Sequence, residues 1–204
     1  MSTYLAGKKL LDKNDLPPQW NMLSGTKDLS SFYFNQSGVG EIQSKKYISS
    51  SPNAGLIQTD NVAHLYGATP TASMLWNRDN PYFNKGYYTL SLVARHNDTS
   101  TPNRTYALQF FSTYTNVHGG IPVLSFNITG TFQKYSGTFY IDTAGNYTDW
   151  RLGNANDAEQ YPGGSIYIAD VKLEPSTVAT TWMPAISDLA LKSDLGGQST
   201  STDH

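Results

Sequence analysis

The sequence predicts an all-β protein, and three observations carry that expectation. Charged residues make up only 15% of the 204-residue chain. Tyrosine and glycine are abundant, at 14 and 17. Short alternating runs recur between clusters of Gly, Asn, Pro and Ser, the pattern of strands separated by turns. Aromatic and β-branched side chains fit a pleated surface, whereas Gly and Asn fit tight turns. A domain of about 165 residues buries roughly 70% of its unfolded surface, so one antiparallel sandwich or barrel can stand without metal or disulfide staples.

The chain opens with LAGKKLLDKNDL, closed by Pro17-Pro18. A double proline reads as a stiff extended joint, so residues 1–18 are expected to form an arm or docking segment. The domain is expected over 19–186, with strands at 55–59, 62–68, 72–76, 87–95, 105–114, 123–129, 131–141, 148–152 and 165–173. No helical stretch separates them, which implies antiparallel pairing. In YYTLSLVAR, alternation puts Tyr88, Leu90, Leu92 and Ala94 on the core face, and Tyr87, Thr89, Ser91, Val93 and Arg95 on a solvent-facing one. The same test on TYALQFFSTY turns Tyr106, Leu108 and Phe110 inward and Gln109, Phe111 and Thr113 outward. For 187–204 the expectation is a short helix, capped by Asp188 and carrying Leu191 and Leu195, then a disordered tail after Gly196-Gly197.

Several function classes lack their signatures. Net charge is −2 and no basic run exceeds two residues, against the electrostatic footprint of a nucleic-acid binder. There are no cysteines, which removes thiolate metal sites and Cys nucleophiles. No apolar run suits a signal peptide or a membrane span. His64, His96, His118 and His204 are scattered, without the convergent spacing of metal ligands. Glu41, Asp142, Asp149, Asp157 and Glu159 carry no paired glycosidase signature, and GxSxG is absent. The expectation is a protein without catalytic activity.

Three segments then stand out in order: WNMLSGTKDLS at 20–30, KGYYTLSLVAR at 85–95 and GSIYIADVKLEPSTVATTWMPAISDL at 164–189. Together they resemble the jelly-roll carbohydrate-binding modules of tail and baseplate proteins from phages and prophages of Gram-positive, lactic-acid-type bacteria. That family shows an opening Asn-Leu-Leu strand, a central Gly-x-Tyr-Thr-Leu-Ser strand and a closing D-V-K-L-E-x-G-x-x-A-T-x-W-x-P-A. Here Ser176, behind Pro175, stands where the glycine is usual, and the middle of the chain, about 96 to 160, carries no alignable motif.

The resemblance implies a jelly-roll β-sandwich that binds host cell-wall polysaccharide without catalysis. It implies other tail or baseplate proteins as partners and a place in the virion tail after synthesis in the bacterial cytoplasm without a signal peptide, a homotrimer being the mark of an assembly role. Two rival roles stay open: a structural spacer or trimeric adaptor, and the accessory sugar-binding module of a wall hydrolase. No cofactor is implied beyond a structural calcium, for which Asp170 is the candidate ligand; the alternative is a hydrogen-bonded or surface Asp170. Trp20 and Trp182 fall at the two ends of the module, where an indole covers the seam between first and last strands and its N–H finds a backbone acceptor.

Sugars present flat C–H faces and rings of hydroxyls, so their sites combine aromatic surface with amide or guanidinium hydrogen bonders. The candidates are Trp76, Tyr82, Arg95, Gln109, Tyr114 and Trp150. Trp76 and Trp150 suit the core equally well, and Arg95 suits a charge on the sheet surface.

Overall fold

The computed structural model describes residues 4–5, 8–9, 21–34, 40–66, 74–79, 81–97, 106–115, 124–153, 165–185 and 188, with backbone alone at 4–5, 8–9, 74, 76, 106–115, 148–149, 151 and 153. Within the expected arm, β1 (Tyr4–Leu5) pairs with β2 (Lys8–Lys9). The strands that follow are β3 (Phe32–Phe34), β4 (Gly40–Ser44), β5 (Asn61–Leu65), β6 (Met74–Asn77), β7 (Tyr82–Phe83) and β8 (Gly86–His96). The second half supplies β9 (Tyr106–Thr115), β10 (Leu124–Ile128), β11 (Gln133–Ile141), β12 (Gly145–Gly153) and β13 (Ile166–Glu174).

These strands make two antiparallel sheets. One has five strands in the order β11-β8-β13-β5-β4; the other has six, in the order β10-β9-β12-β6-β3 with β7 on β12. Their inner faces close one apolar core. Leu75, Phe126, Ile128, Trp150 and Leu152 from the six-stranded sheet meet Ala63, Leu65, Leu90, Leu92, Ala94 and Ile168 from the five-stranded one. Alternation in β8 works as expected on this side, since Tyr88, Leu90, Leu92 and Ala94 are all buried. The architecture is an antiparallel β-sandwich.

The other face of β8 departs from expectation. Thr89 and Val93 are buried as well, because the five-stranded sheet is covered on its outside. A second apolar cluster joins Val62, Val93, Tyr167 and Ala169 on the sheet to Ile48, Ile57 and Phe132 from the connections. Residues 55–59, expected as a strand, belong to that cover. Ala54–Leu56 is a 3-10 turn entered through Asn53 in the left-handed region, and the amides that a strand would use go elsewhere. Gln58 N and Thr59 N both donate to the Asp170 carboxylate, at 3.0 and 2.8 Å.

Asp170 occupies a break in the last strand. Its φ is 53°, and the pairing of β13 with β8 shifts register between Ala169 and Lys172. A β-bulge of this kind leaves backbone groups without ladder partners, and Asn21 supplies them. Its Nδ2 donates to Val171 O at 2.7 Å, and its Oδ1 accepts from Leu173 N at 3.0 Å. Thus the opening Asn-Met-Leu segment is latched to the closing strand 150 residues away. Trp20, expected to share that task, lies outside the described residues.

Beyond Pro175 the chain crosses the outer face of the five-stranded sheet as a strap. Lys172 and Glu174 lie on that face and are both fully buried, with Nζ and Oε2 3.0 Å apart. Lys172 Nζ donates to Thr180 Oγ1 and to Thr181 O, and Glu174 accepts from Thr180 N at 2.9 Å and from its hydroxyl at 2.7 Å. A buried charge pair is tolerated only when further hydrogen bonds complete it, and the strap does so here. The helix expected after Asp188 falls on residues outside the description. The Asp188 carboxylate accepts from Gly25 N at 2.6 Å and Thr26 N at 3.3 Å, tying the chain's exit to its entry.

Candidate functional site

Strand register defines two outward rows on the six-stranded sheet. Phe34, Leu75, Leu152, Phe110 and Leu124 stand opposite one another across β3, β6, β12, β9 and β10. Leu75 and Leu152 of that row are buried, so it belongs to the core side. One residue along, Tyr33, Trp76, Arg151 and Phe111 form the neighbouring row. Because successive positions of a strand alternate between faces, this row lies on the face away from the core. Next to it on the same face run Met74, Gly153, Gln109 and Ser125.

A row of three aromatic positions and one arginine position, about 4.8 Å apart from strand to strand, flanked by a glutamine position, carries the residue types that sugar rings require. Its edge is held firmly. Asp79 accepts from Ser24 N and, at 2.8 Å, from Ser24 Oγ, while its own amide donates to Asn77 Oδ1 at 2.8 Å. The Arg78 guanidinium sits 5.2 Å from the centre of the half-buried Tyr33 ring. Tyr82 is 59% exposed and is presented by its neighbour Phe83, which is buried against Trp150 at 5.1 Å.

The six candidate residues divide accordingly. Trp76 and Gln109 occupy outward positions in adjacent rows, and Tyr82 stands exposed on β7. Trp150 does not join them: its indole is 1% exposed and donates to Tyr147 O at 2.8 Å, so it is a core residue. Tyr114 stands opposite Thr148, where the alternation of β12 changes between the buried Tyr147 and the buried Trp150, so register assigns it to neither face. Arg95 lies on the other sheet, its guanidinium 5.4 Å from the Phe132 ring and 5.1 Å from that of Tyr167. It closes the second apolar cluster instead of facing a ligand beside Trp76. Reasoning from sequence missed Tyr33, although the aromatic FYF run carries strand propensity, and Arg151, which only register brings beside Trp76.

Arg95 belongs to a second cross-strand row, Glu41, His64, Tyr167 and Arg95. His64 stacks on Tyr167 at 4.2 Å, and its Nδ1 lies 3.5 Å from a Glu41 carboxylate oxygen. Burial, aided by the nearby Arg95 charge, pulls the imidazole below its ordinary value despite Glu41. Burial likewise lowers Arg95, with Tyr167 opposing.

The residues around Asp170 do not fit a structural calcium. Its carboxylate is 4% exposed and engaged by two backbone N–H donors, which supply positive rather than negative potential. Calcium wants six to eight oxygens, and among the described residues no group of three acidic or histidine side chains gathers anywhere. Asp170 is a structural acceptor that holds the cover onto the bulge.

Comparison with solved structures agrees with this architecture. The carbohydrate-binding module TmCBM61 in complex with β-1,4-galactotriose matches with a TM-score of 0.50 at 10% identity, over 76% of this chain and 99% of that one. The antiparallel β-sandwich of this chain is similar in fold to that module. The enzymatically active domain of tailspike protein 4 from bacteriophage CBA120 matches with a TM-score of 0.50 at 15% identity over 75% of this chain. The α-L-arabinofuranosidase MgGH51 bound to arabinose matches with a TM-score of 0.51 at 14% identity over 78% of it. The chain spans only 21% of the tailspike chain and 27% of the arabinofuranosidase chain, so each likeness is to one part of a larger protein. No protein-family model and no curated protein sequence matches the chain. No helix among the described residues is long and apolar enough to cross a membrane.

Proposed function

We propose that this chain is a non-catalytic carbohydrate-binding module of a phage or prophage tail or baseplate, and that it holds the cell-wall polysaccharide of a Gram-positive host. The observation that carries the reading is the outward row Tyr33, Trp76, Arg151 and Phe111, flanked by Gln109 on the six-stranded sheet. Aromatic positions stack on the C–H faces of sugar rings, and the guanidinium and amide bond to their hydroxyls. Tyr82 extends the aromatic surface at the sheet's edge. The resemblance of the three terminal and central segments to baseplate modules supports the tail assignment, as does the similarity in fold to a tailspike domain. Binding at such an open face is weak per copy, and a tail compensates by carrying many copies, since linked sites raise the effective concentration.

The test is adhesion of the domain, displayed multivalently, to host cells and purified wall polysaccharide. Wild type binds, while Trp76→Ala and Tyr33→Ala lose binding by at least about tenfold, the loss of about 1.4 kcal/mol. Tyr87→Ala, on the other sheet, retains it. No adhesion of the wild type to any wall polysaccharide overturns the reading.

A further inference from the structure

On the outer face of the five-stranded sheet, between the strap and the strands, lies a cleft of about 260 Å³. Ser91 of β8, Lys134 and Ser136 of β11, Asp170 of β13, Gln58 and Trp182 line it. Register places Ser136 directly opposite Ser91, so the floor carries two hydroxyls side by side. The Lys172–Glu174–Thr180 network fixes the strap that forms one wall, and the Asp170 bonds to Gln58 N and Thr59 N fix the other. The cleft is therefore preformed, as small-ligand sites usually are.

Trp182 supplies the observation that points to a ligand. Its indole was expected to cover the seam with its N–H bonded to a backbone carbonyl. Instead Nε1 is buried, with no acceptor among the described residues, whereas the large majority of buried polar atoms have one. Trp182 lines the cleft, so the indole brings an apolar face to it, and its N–H is a donor that no described residue satisfies. Asp170 brings carboxylate lone pairs beyond those taken by the two amides, Gln58 an amide, and Lys134 an ammonium. The Asp170 charge disfavours an anion and the Lys134 charge disfavours a cation. A neutral polyhydroxyl ring with one apolar face matches this set of donors and acceptors.

We propose that this cleft is a second carbohydrate subsite, taking a single neutral sugar ring on the sheet opposite the Trp76 row. Its volume lies just below the ~300 Å³ lower end of small-molecule sites, which suits one ring and excludes an oligosaccharide. A ring of about a dozen heavy atoms at ordinary ligand efficiency binds with a millimolar Kd. Two sites on opposite faces let one module contact two chains of a polysaccharide, or two turns of one chain. The subsite rests on its own geometry and stands or falls separately from the Trp76 row.

The experiment is an NMR titration of the 15N-labelled full chain with glucose, galactose, rhamnose and N-acetylglucosamine, with glycerol as the control polyol. The Trp182 indole N–H resonance is identified by its loss in Trp182→Phe. At least one of the four sugars is expected to shift this resonance saturably, with a millimolar Kd, while glycerol does not. Ser136→Trp, which fills the cleft from an exposed position, abolishes the shift, and Trp76→Ala leaves it unchanged. Three outcomes overturn the proposal: no saturable shift with any of the four sugars, an equal response to glycerol, or disappearance of the shift in Trp76→Ala. If Trp182→Phe does not fold, the resonance is assigned through the backbone and Ser136→Trp decides.

Discussion

Asn21 is 1% exposed and spends its whole side chain on the fold. Its Nδ2 donates to Thr26 Oγ1 and Val171 O, and its Oδ1 accepts from Leu23 N and Leu173 N. An apolar replacement of similar size leaves two amides and a carbonyl unpaired in the interior, at about 1–3 kcal/mol each. Asn21→Leu is accordingly expected to cost about 3–5 kcal/mol in urea unfolding, several times a typical surface substitution. His64 makes a different prediction at the same scale. Its partners are Glu41, Tyr66, Tyr167 and Arg95, and burial holds its folded pKa below the ordinary imidazole value of 6.5. The unfolded chain therefore binds the proton more tightly, so stability rises with pH through the window below 6.5 and is lost as pH falls into it. The urea midpoint is expected to drop between pH about 7 and 5.5, above the range where ordinary carboxylates titrate. His64→Gln is expected to flatten that slope; an unchanged slope in the variant contradicts this account.

The strap is the element whose role changes most between sequence and structure. As a string, KLEPSTVATTW combines a charged strand end, a proline break and a small polar run. In the structure Lys172 and Glu174 point out of the sheet, yet both are fully buried because the run between Pro175 and Trp182 folds back over them. Thr180 completes the pair with three hydrogen bonds, one from its amide and two through its hydroxyl. Removing one member of such a pair strands the other's charge, at about 3–5 kcal/mol, whereas replacing both with apolar side chains is often near neutral. Lys172→Met is thus expected to destabilise by about 3–5 kcal/mol, and the double replacement with Glu174→Leu to recover most of the loss. A double-mutant cycle in urea measures both. The double variant also releases the strap, so it is expected to weaken sugar binding at the cleft even where stability returns.

At the scale of the molecule, two sheets share one core but differ on their outer faces. The five-stranded sheet is roofed by the Lys45–Ile48 and Ala54–Leu56 turns, Phe132 and the strap, which leaves the Tyr87–Tyr140 pair exposed at one end. The six-stranded sheet turns its aromatic row away from the core. With a net charge of −2, long-range attraction contributes little to ligand capture. Adhesion through the Trp76 row is therefore expected to change by less than about twofold between 0.1 and 1 M salt, over which charge screening shortens from about 10 to 3 Å. Isothermal binding at the two salt concentrations checks this, and a steep fall assigns recognition to charge instead. Light scattering separates the two roles, since a stable trimer favours the structural-adaptor reading over adhesion.

Composition and alternation were enough to establish the all-β class, most of the strands and the inner face of β8, because a residue's preference for a pleated, half-buried surface is a local property. The closing motif was legible for the same reason. Alternation alone did not reveal that the outer face of β8 is roofed, since burial there comes from Ile48, Ile57 and Phe132, which reach it through folding and not through sequence proximity. GLIQT reads as a strand until Asp170, more than 110 positions away, captures its amides. Trp150 and Trp76 share a residue type and neighbouring strands, yet one indole is sealed in the core and the other residue stands in the outward row. Strand register separates them, and register is a relation between distant segments that neither segment's sequence contains.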